Sequence, residues 1–191
     1  MIEKIMKAVK SSNKRRGRNI TIGAVIGFLL SCTAVMGADS HLWIKGDSGE
    51  IKFSINGTTT SDGDWKTENP YENAGNIWDK DTEPKTYTNN MTLSSSTANG
   101  KSNGSNISYG LRLSGNLTGV NFINNGSITG IISGSGNDNG NSTGYGIYNY
   151  RSDKIGDITN IGVISGYGSG HDTGYGYGIS NVDVMGAITN T

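Results

Sequence analysis

The chain has 191 residues, with 16 basic and 16 acidic side chains, 30 glycines, two prolines and one cysteine. A single cysteine excludes a disulfide framework and a thiolate metal site. Apolar residues make up only 33%, yet scarce proline and periodic apolar placement oppose disorder.

Residues 1–38 read as an export signal. Lys4, Lys7, Lys10, Lys14, Arg15, Arg16 and Arg18 face one acid, Glu3, and an apolar core of 11 residues, Ile20–Leu30, follows. A signal core has about 7–15 residues, whereas a spanning helix needs about 20 apolar ones. Small residues at Gly37 and Ala38 place cleavage between Ala38 and Asp39. Two alternatives stay open. The 19 uncharged residues Ile20–Ala38 form an uncleaved anchor in one. In the other, Leu29-Leu-Ser-Cys32 reads as a lipobox and Cys32 takes the lipid. The pattern implies the Sec machinery and signal peptidase as partners, with no membrane span in the mature chain. Seven of the 16 basic and one of the 16 acidic residues lie in the leader, so residues 39–191 carry a net charge of −6. That balance disfavours nucleic acid and lacks a basic membrane-binding patch.

Residues 39–106 lack an obvious repeat and read as an N-terminal cap, partly irregular. Leu42-Trp-Ile44 and Ile51–Ile55 predict a hairpin around Asp47-Ser-Gly49. Thr58 to Lys85 is polar and is read either as part of the cap or as a loose leader. Tyr87–Leu93 predicts a returning strand. A terminal unit that differs from the repeats is what a stacked array needs to cover its first coil.

Residues 107–191 repeat. Tyr109-Gly-Leu111, Tyr145-Gly-Ile147 and Tyr177-Gly-Ile179 are separated by 36 and 32 residues. A second motif follows each: Val120–Asn124, Ile155–Asn160 and Met185–Asn190. A third, Gly126-Ser-Ile-Thr-Gly130 and Gly162-Val-Ile-Ser-Gly166, follows the first two. Each repeat predicts three short strands, joined to the next through Gly134–Gly144 and Gly166–Gly174. Period-2 alternation and abundant Gly, Asn and β-branched residues exclude helices. The fold class is all-β: a parallel β-helix, or β-solenoid, right-handed by the general preference of parallel connections. Stacking predicts apolar ladders of Leu111, Ile147 and Ile179, of Phe122, Ile158 and Ile188, and of Ile128 and Ile164. Asn124, Asn160 and Asn190 either stack as an amide ladder or hold left-handed turn positions.

Candidate chemistry is sparse. Asp62, Asp64, Glu68, Asp79, Asp81 and Glu83 form an acidic run without calcium-loop spacing. The Asn137-Asp-Asn139 loop lacks a nonapeptide period. His41 and His171 are far apart, and neither zinc spacing nor a nucleophile motif occurs. Catalytic residues, metals and cofactors are therefore assigned as none. A polysaccharide-acting enzyme is the alternative, resting on Arg151 and Asp157 in one coil. The Asn-x-Ser/Thr triplets at Asn56, Asn116 and Asn125 are read as compositional.

The leader Met1-Ile-Glu-Lys…Lys14-Arg-Arg-Gly-Arg18, with Ile20–Gly37, resembles leaders of fusobacterial autotransporters. The coils Gly144-Tyr-Gly-Ile-Tyr-Asn149, Ile158-Thr-Asn160 and Gly162-Val-Ile-Ser-Gly166 resemble their passenger repeats. The resemblance implies a β-helical passenger exported through a C-terminal outer-membrane barrel and displayed at the cell surface. Its expected role is non-enzymatic adhesion to a host surface or glycan. A barrel needs many alternating strands of about 10 residues, and none is read here. The chain is thus read as a truncated passenger segment, placed in the periplasm, whose full-length parent reaches the outer membrane.

Overall fold

The computed structural model describes residues 40–55, 64–96, 100–102, 105–133, 141–170 and 173–191. The leader, with Cys32, Ala38 and Asp39, lies outside these residues, as do Asp62, Asn137-Asp-Asn139 and His171.

The first strands form because β-branched and aromatic residues flank a tight turn. Strand β1 (Leu42–Asp47) pairs antiparallel with β2 (Glu50–Ser54). Between them Ser48 and Gly49 both have positive φ, 52° and 87°, matching the twist of a two-residue hairpin. A 3-10 turn at Glu72–Ala74 leads to β3 (Ile77–Asp79), which pairs antiparallel with β4 (Lys85–Asn89). Polar side chains hold this region. Asn76 Nδ2 donates to Tyr87 Oη at 2.8 Å, and the Asn90 N–H donates to Asn76 Oδ1 at 2.9 Å. The expected strand Tyr87–Leu93 is two strands, β4 and β5 (Thr92–Ser95), separated by a corner at Asn90-Met91.

The remaining strands are β6 (Gly100–Ser102), β7 (Ser105–Leu117), β8 (Val120–Asn124), β9 (Ser127–Ser133) and β10 (Ser142–Ile155). They continue with β11 (Ile158–Asn160), β12 (Val163–Ser169), β13 (Gly174–Asn181) and β14 (Ile188–Asn190). The described residues form three sheets, ordered β13-β10-β7-β1-β2, β14-β11-β8-β4-β3 and β12-β9-β5, with β6 antiparallel to β7. The protein is therefore all-β with parallel sheets. Strands three apart in the chain pair parallel: β7 with β10, whose register holds as far as Asn149 and shifts beyond it, β8 with β11, and β9 with β12. A chain that returns to the same sheet every round brings equivalent side chains together at the strand spacing of about 4.8 Å.

The rows are specific. Leu42, Leu111, Ile147 and Ile179 are consecutive partners, as are Tyr87, Phe122, Ile158 and Ile188, and Leu93, Ile128 and Ile164. Most join one core cluster. A fully buried Leu or Ile contributes about 1.5–3 kcal/mol relative to exposure. Burial fades toward the last strands: Ile179 is only half-buried and Ile188 is 53% exposed. Both lie on edge strands with a neighbour on one side.

Residues assigned from sequence to a cap divide in two. β2 and β3 run antiparallel and cover an edge. β1, β4 and β5 instead pair parallel with β7, β8 and β9 and extend the register of the repeats. The predicted loop Gly166–Gly174 is also partly strand, because β12 runs to Ser169. The reason is close backbone approach. A Cβ on Gly166 would strike the Tyr177 carbonyl oxygen, and one on Gly168 that of Tyr175. Glycine permits the two sheets to touch main chain to main chain.

Candidate functional site

The first sheet has two kinds of face along one strand. Beyond Gly110 and Gly146, Leu111, Leu113 and Ile147 enter the main core, whereas Ile107, Tyr109 and Tyr148 form a separate cluster. In the stretches Ser142–Gly146 and Gly174–Gly178, glycines alternate with tyrosines. Period-2 geometry puts glycines against the third sheet and tyrosines on the opposite face. Cβ atoms on Gly144 and Gly176 would meet the Tyr167 and Gly166 carbonyl oxygens, respectively.

The outward tyrosines stack. Tyr145 lies 5.4 Å from Tyr177 and 4.5 Å from Tyr148, centroid to centroid, with interplanar angles of 17° and 14°. Tyr148 continues to Tyr150 at 5.5 Å. Tyr175 and Tyr177 are nearly half exposed, and Tyr167 on β12 is more so. These rings offer apolar area with a hydrogen-bonding tip.

Beside the tyrosines sits a cation. Trp43, Arg112 and Tyr148 are direct partners on β1, β7 and β10. The Arg112 guanidinium is 3.9 Å from the Trp43 centroid, with Tyr150, Tyr109 and Tyr148 at 5.4, 5.7 and 6.0 Å. Arg112 is only 4% exposed, and its Nε and Nη1 have no hydrogen-bond partner. Ring faces thus replace part of its hydration, each contributing about 0.5–2 kcal/mol. Trp43 is fixed by its Nε1 donating to Ser114 Oγ at 2.7 Å and by Trp65, whose ring lies 4.8 Å away edge-on. Lys45 Nζ stands 5.6 Å from the Trp65 centroid. Burial raises the Tyr109 phenol above its usual range, and the adjacent Arg112 partly offsets this. Tyr145 is raised by burial and then by Tyr177.

The asparagines predicted from sequence form a directional row. Asn89 Nδ2 donates to Asn124 Oδ1 at 2.8 Å, Asn124 Nδ2 to Asn160 Oδ1 at 2.7 Å, and Asn160 Nδ2 to Asn190 Oδ1 at 2.6 Å. Asn89, Asn124 and Asn160 also donate to the carbonyl two residues on, tying down the corner. Their backbones are not left-handed: the positive-φ non-glycine among the described residues is Ser48. Asn89 was missing from the predicted row, although Tyr87-Thr-Asn89 has the spacing of Ile158-Thr-Asn160. A second row, Asn149 Nδ2 to Asn181 Oδ1, was also missed. Its signal is Ile147-Tyr-Asn149 beside Ile179-Ser-Asn181.

The other candidates do not converge. Among the described residues, no three of His, Cys, Asp or Glu come together as metal ligands. Asp64 pairs with Lys66 at 3.5 Å, and the Asp81 N–H donates to Asp79 Oδ1 at 3.3 Å. His41 packs edge-on to Tyr109 at 5.8 Å. Asp157 Oδ1 accepts the Ala187 N–H at 2.8 Å, and the Asp157 N–H donates to Asn121 Oδ1 at 2.9 Å, so Asp157 ties the segment before β11 to β8 and to the segment before β14. No helix among the described residues is long and apolar enough to cross a membrane. Comparison with known protein families, curated proteins and solved structures finds no match.

Proposed function

We propose that the chain is a segment of a β-solenoid with three strands per coil, of the passenger type seen in autotransporters. It is exported by its leader and serves adhesion or surface display without catalysis. The observation that carries this reading is the outward tyrosine strip, Tyr145, Tyr175 and Tyr177, held by glycines on the opposite face. Parallel in-register pairing across three sheets supports the solenoid. The strip gives rigid aromatic area at small entropic cost, as recognition surfaces use it. The polysaccharide-acting alternative rests on Arg151 and Asp157, and the Asp157 carboxylate is engaged by the Ala187 N–H.

The test is binding of the chain to immobilised mucin-type glycoprotein and to neutral and acidic polysaccharides. A Tyr175→Ser/Tyr177→Ser variant is expected to bind about tenfold more weakly with an unchanged circular dichroism spectrum. Undiminished binding by the variant would contradict the assignment of the strip. Release of reducing ends from any of these polysaccharides would contradict the non-enzymatic reading.

A further inference from the structure

The tyrosine strip leads to a buried cation whose N–H groups are not all used. Tyr175 neighbours Tyr177, Tyr177 stacks on Tyr145, and Tyr145 on Tyr148, with centroids 6.4, 5.4 and 4.5 Å apart. Tyr148 pairs with Arg112 across β10 and β7, and the guanidinium lies 6.0 Å from its ring. The row closes along its length. Tyr175 and Tyr177 are nearly half exposed, Tyr145 is half-buried, and Tyr148 and Arg112 are buried.

A guanidinium carries donors only, all in one plane. Arg112 engages the Tyr109 phenol, but its Nε and Nη1 have no partner in a side chain that is 4% exposed. The Trp43 ring compensates charge, yet an aromatic face is a weak hydrogen-bond acceptor. Folded proteins pair buried donors of this kind almost without exception, so these two call for an acceptor. The surrounding charge favours an anionic one. Lys45 stands by Trp65, which packs on Trp43. The ion pairs among the described residues, Lys52–Asp47 and Lys66–Asp64, include neither Lys45 nor Arg112. A bare anion would use the cation and ignore the rings. A neutral sugar would do the reverse.

We infer that Arg112 binds the carboxylate of a sugar acid whose ring lies on Tyr145. The inference rests on the adhesive reading of the tyrosine strip and names the class of glycan it takes, the strip receiving the neighbouring sugars. The carboxylate supplies the oxygen acceptors that Nε and Nη1 lack, and the apolar face of the sugar lies on the phenol ring. Entry displaces the Tyr150 ring, which is half-buried and 5.4 Å from the guanidinium. Tyr150 sits where the register of β10 on β7 shifts, between Asn149 and Ser152. Such irregularities re-aim side chains beside functional sites.

The test follows the Arg112 Nε–H resonance in the full chain labelled with nitrogen-15 in arginine. The titrants are oligogalacturonate, its methyl ester, sialyllactose and acetate. A shift is expected with oligogalacturonate or with sialyllactose, which separates a uronic from a sialic source, and none with the ester or with acetate at equal concentration. Arg112→Lys keeps the charge without the planar fork and is expected to bind the responding acid about tenfold more weakly. Should that variant fail to fold, the resonance in the unaltered chain still decides. Three results would each overturn the inference: an Arg112 resonance silent to both acids, an equal shift with the methyl ester, or an equal shift with acetate. The adhesive reading fails separately. Tyr175→Ser/Tyr177→Ser that binds glycan undiminished removes the strip from adhesion and leaves the Arg112 shift in place, whereas strip-dependent binding with a silent Arg112 sinks the sugar-acid site alone.

Discussion

The two halves of β10 solve the same packing problem in opposite ways. From Ile147 onward side chains fill the interior: Ile147, stacked by Leu111 and Ile179, then the hydrogen-bonded Asn149 and Ser152, then Ile155. From Ser142 to Gly146 the interior is main chain, and the side-chain volume stands outside as stacked tyrosine. One half excludes water with apolar volume, the other by bringing backbones together. The second strategy needs few apolar residues, which explains how a chain with 33% apolar content builds a core. It also leaves aromatic surface exposed at Tyr175 and Tyr177.

Substitutions that exchange the two strategies should be the most damaging. Gly144→Val drives side-chain atoms into the Tyr167 and Gly130 carbonyls, and a loss of about 4 kcal/mol is expected in urea unfolding. In the other half, Ile147→Ala leaves a cavity beneath two neighbours, with an expected loss of about 3 kcal/mol, against about 1 kcal/mol for half-buried Ile179→Ala. The corner that joins the strategies to the second sheet depends on Asn124, which bonds Asn89, Asn160 and two carbonyls. Asn124→Ala is expected to cost about 2–3 kcal/mol, and Asn190→Ala on the edge strand β14 under about 0.5 kcal/mol. Alkaline titration probes the buried phenols. Burial raises Tyr87 in the main core and Tyr109 in the second cluster, and pushes Tyr71 up to about 12. Folded values above the unfolded one of about 10 mean that the unfolded chain loses its protons first. Stability is therefore full below about pH 10 and falls as pH rises toward 12, measurable as a declining melting temperature. Tyr177→Ser, on the outer strip, is expected to change stability by less than about 0.5 kcal/mol.

The apolar and asparagine rows were readable because stacking requires a side chain of the same kind at a fixed interval. Ile158-Thr-Asn160 and Ile188-Thr-Asn190 announce themselves. The kinship of β1, β4 and β5 with the later strands was hidden for the same reason: they keep the pairing but change the residues, with Leu42 and Tyr87 in place of the motif. Glycine-rich segments misled in the other direction. Gly166-Tyr-Gly-Ser169 has a loop's composition, and only the opposing glycines of β13 make it a strand. The Arg112 cluster was not legible, because Trp43, Arg112 and Tyr148 come from separate strands that only the register aligns.

Parallel in-register pairing underlies the rows and the tyrosine strip alike. Cross-strand nuclear Overhauser effects at Thr159 test it most directly, since its partners are Ile123 on one side and Thr189 on the other. Contacts from Thr159 to both residues, with matching ones from Ser165 to Thr129, are expected. Contacts from Thr159 to a strand running antiparallel, or a register shifted by one residue, would contradict the architecture.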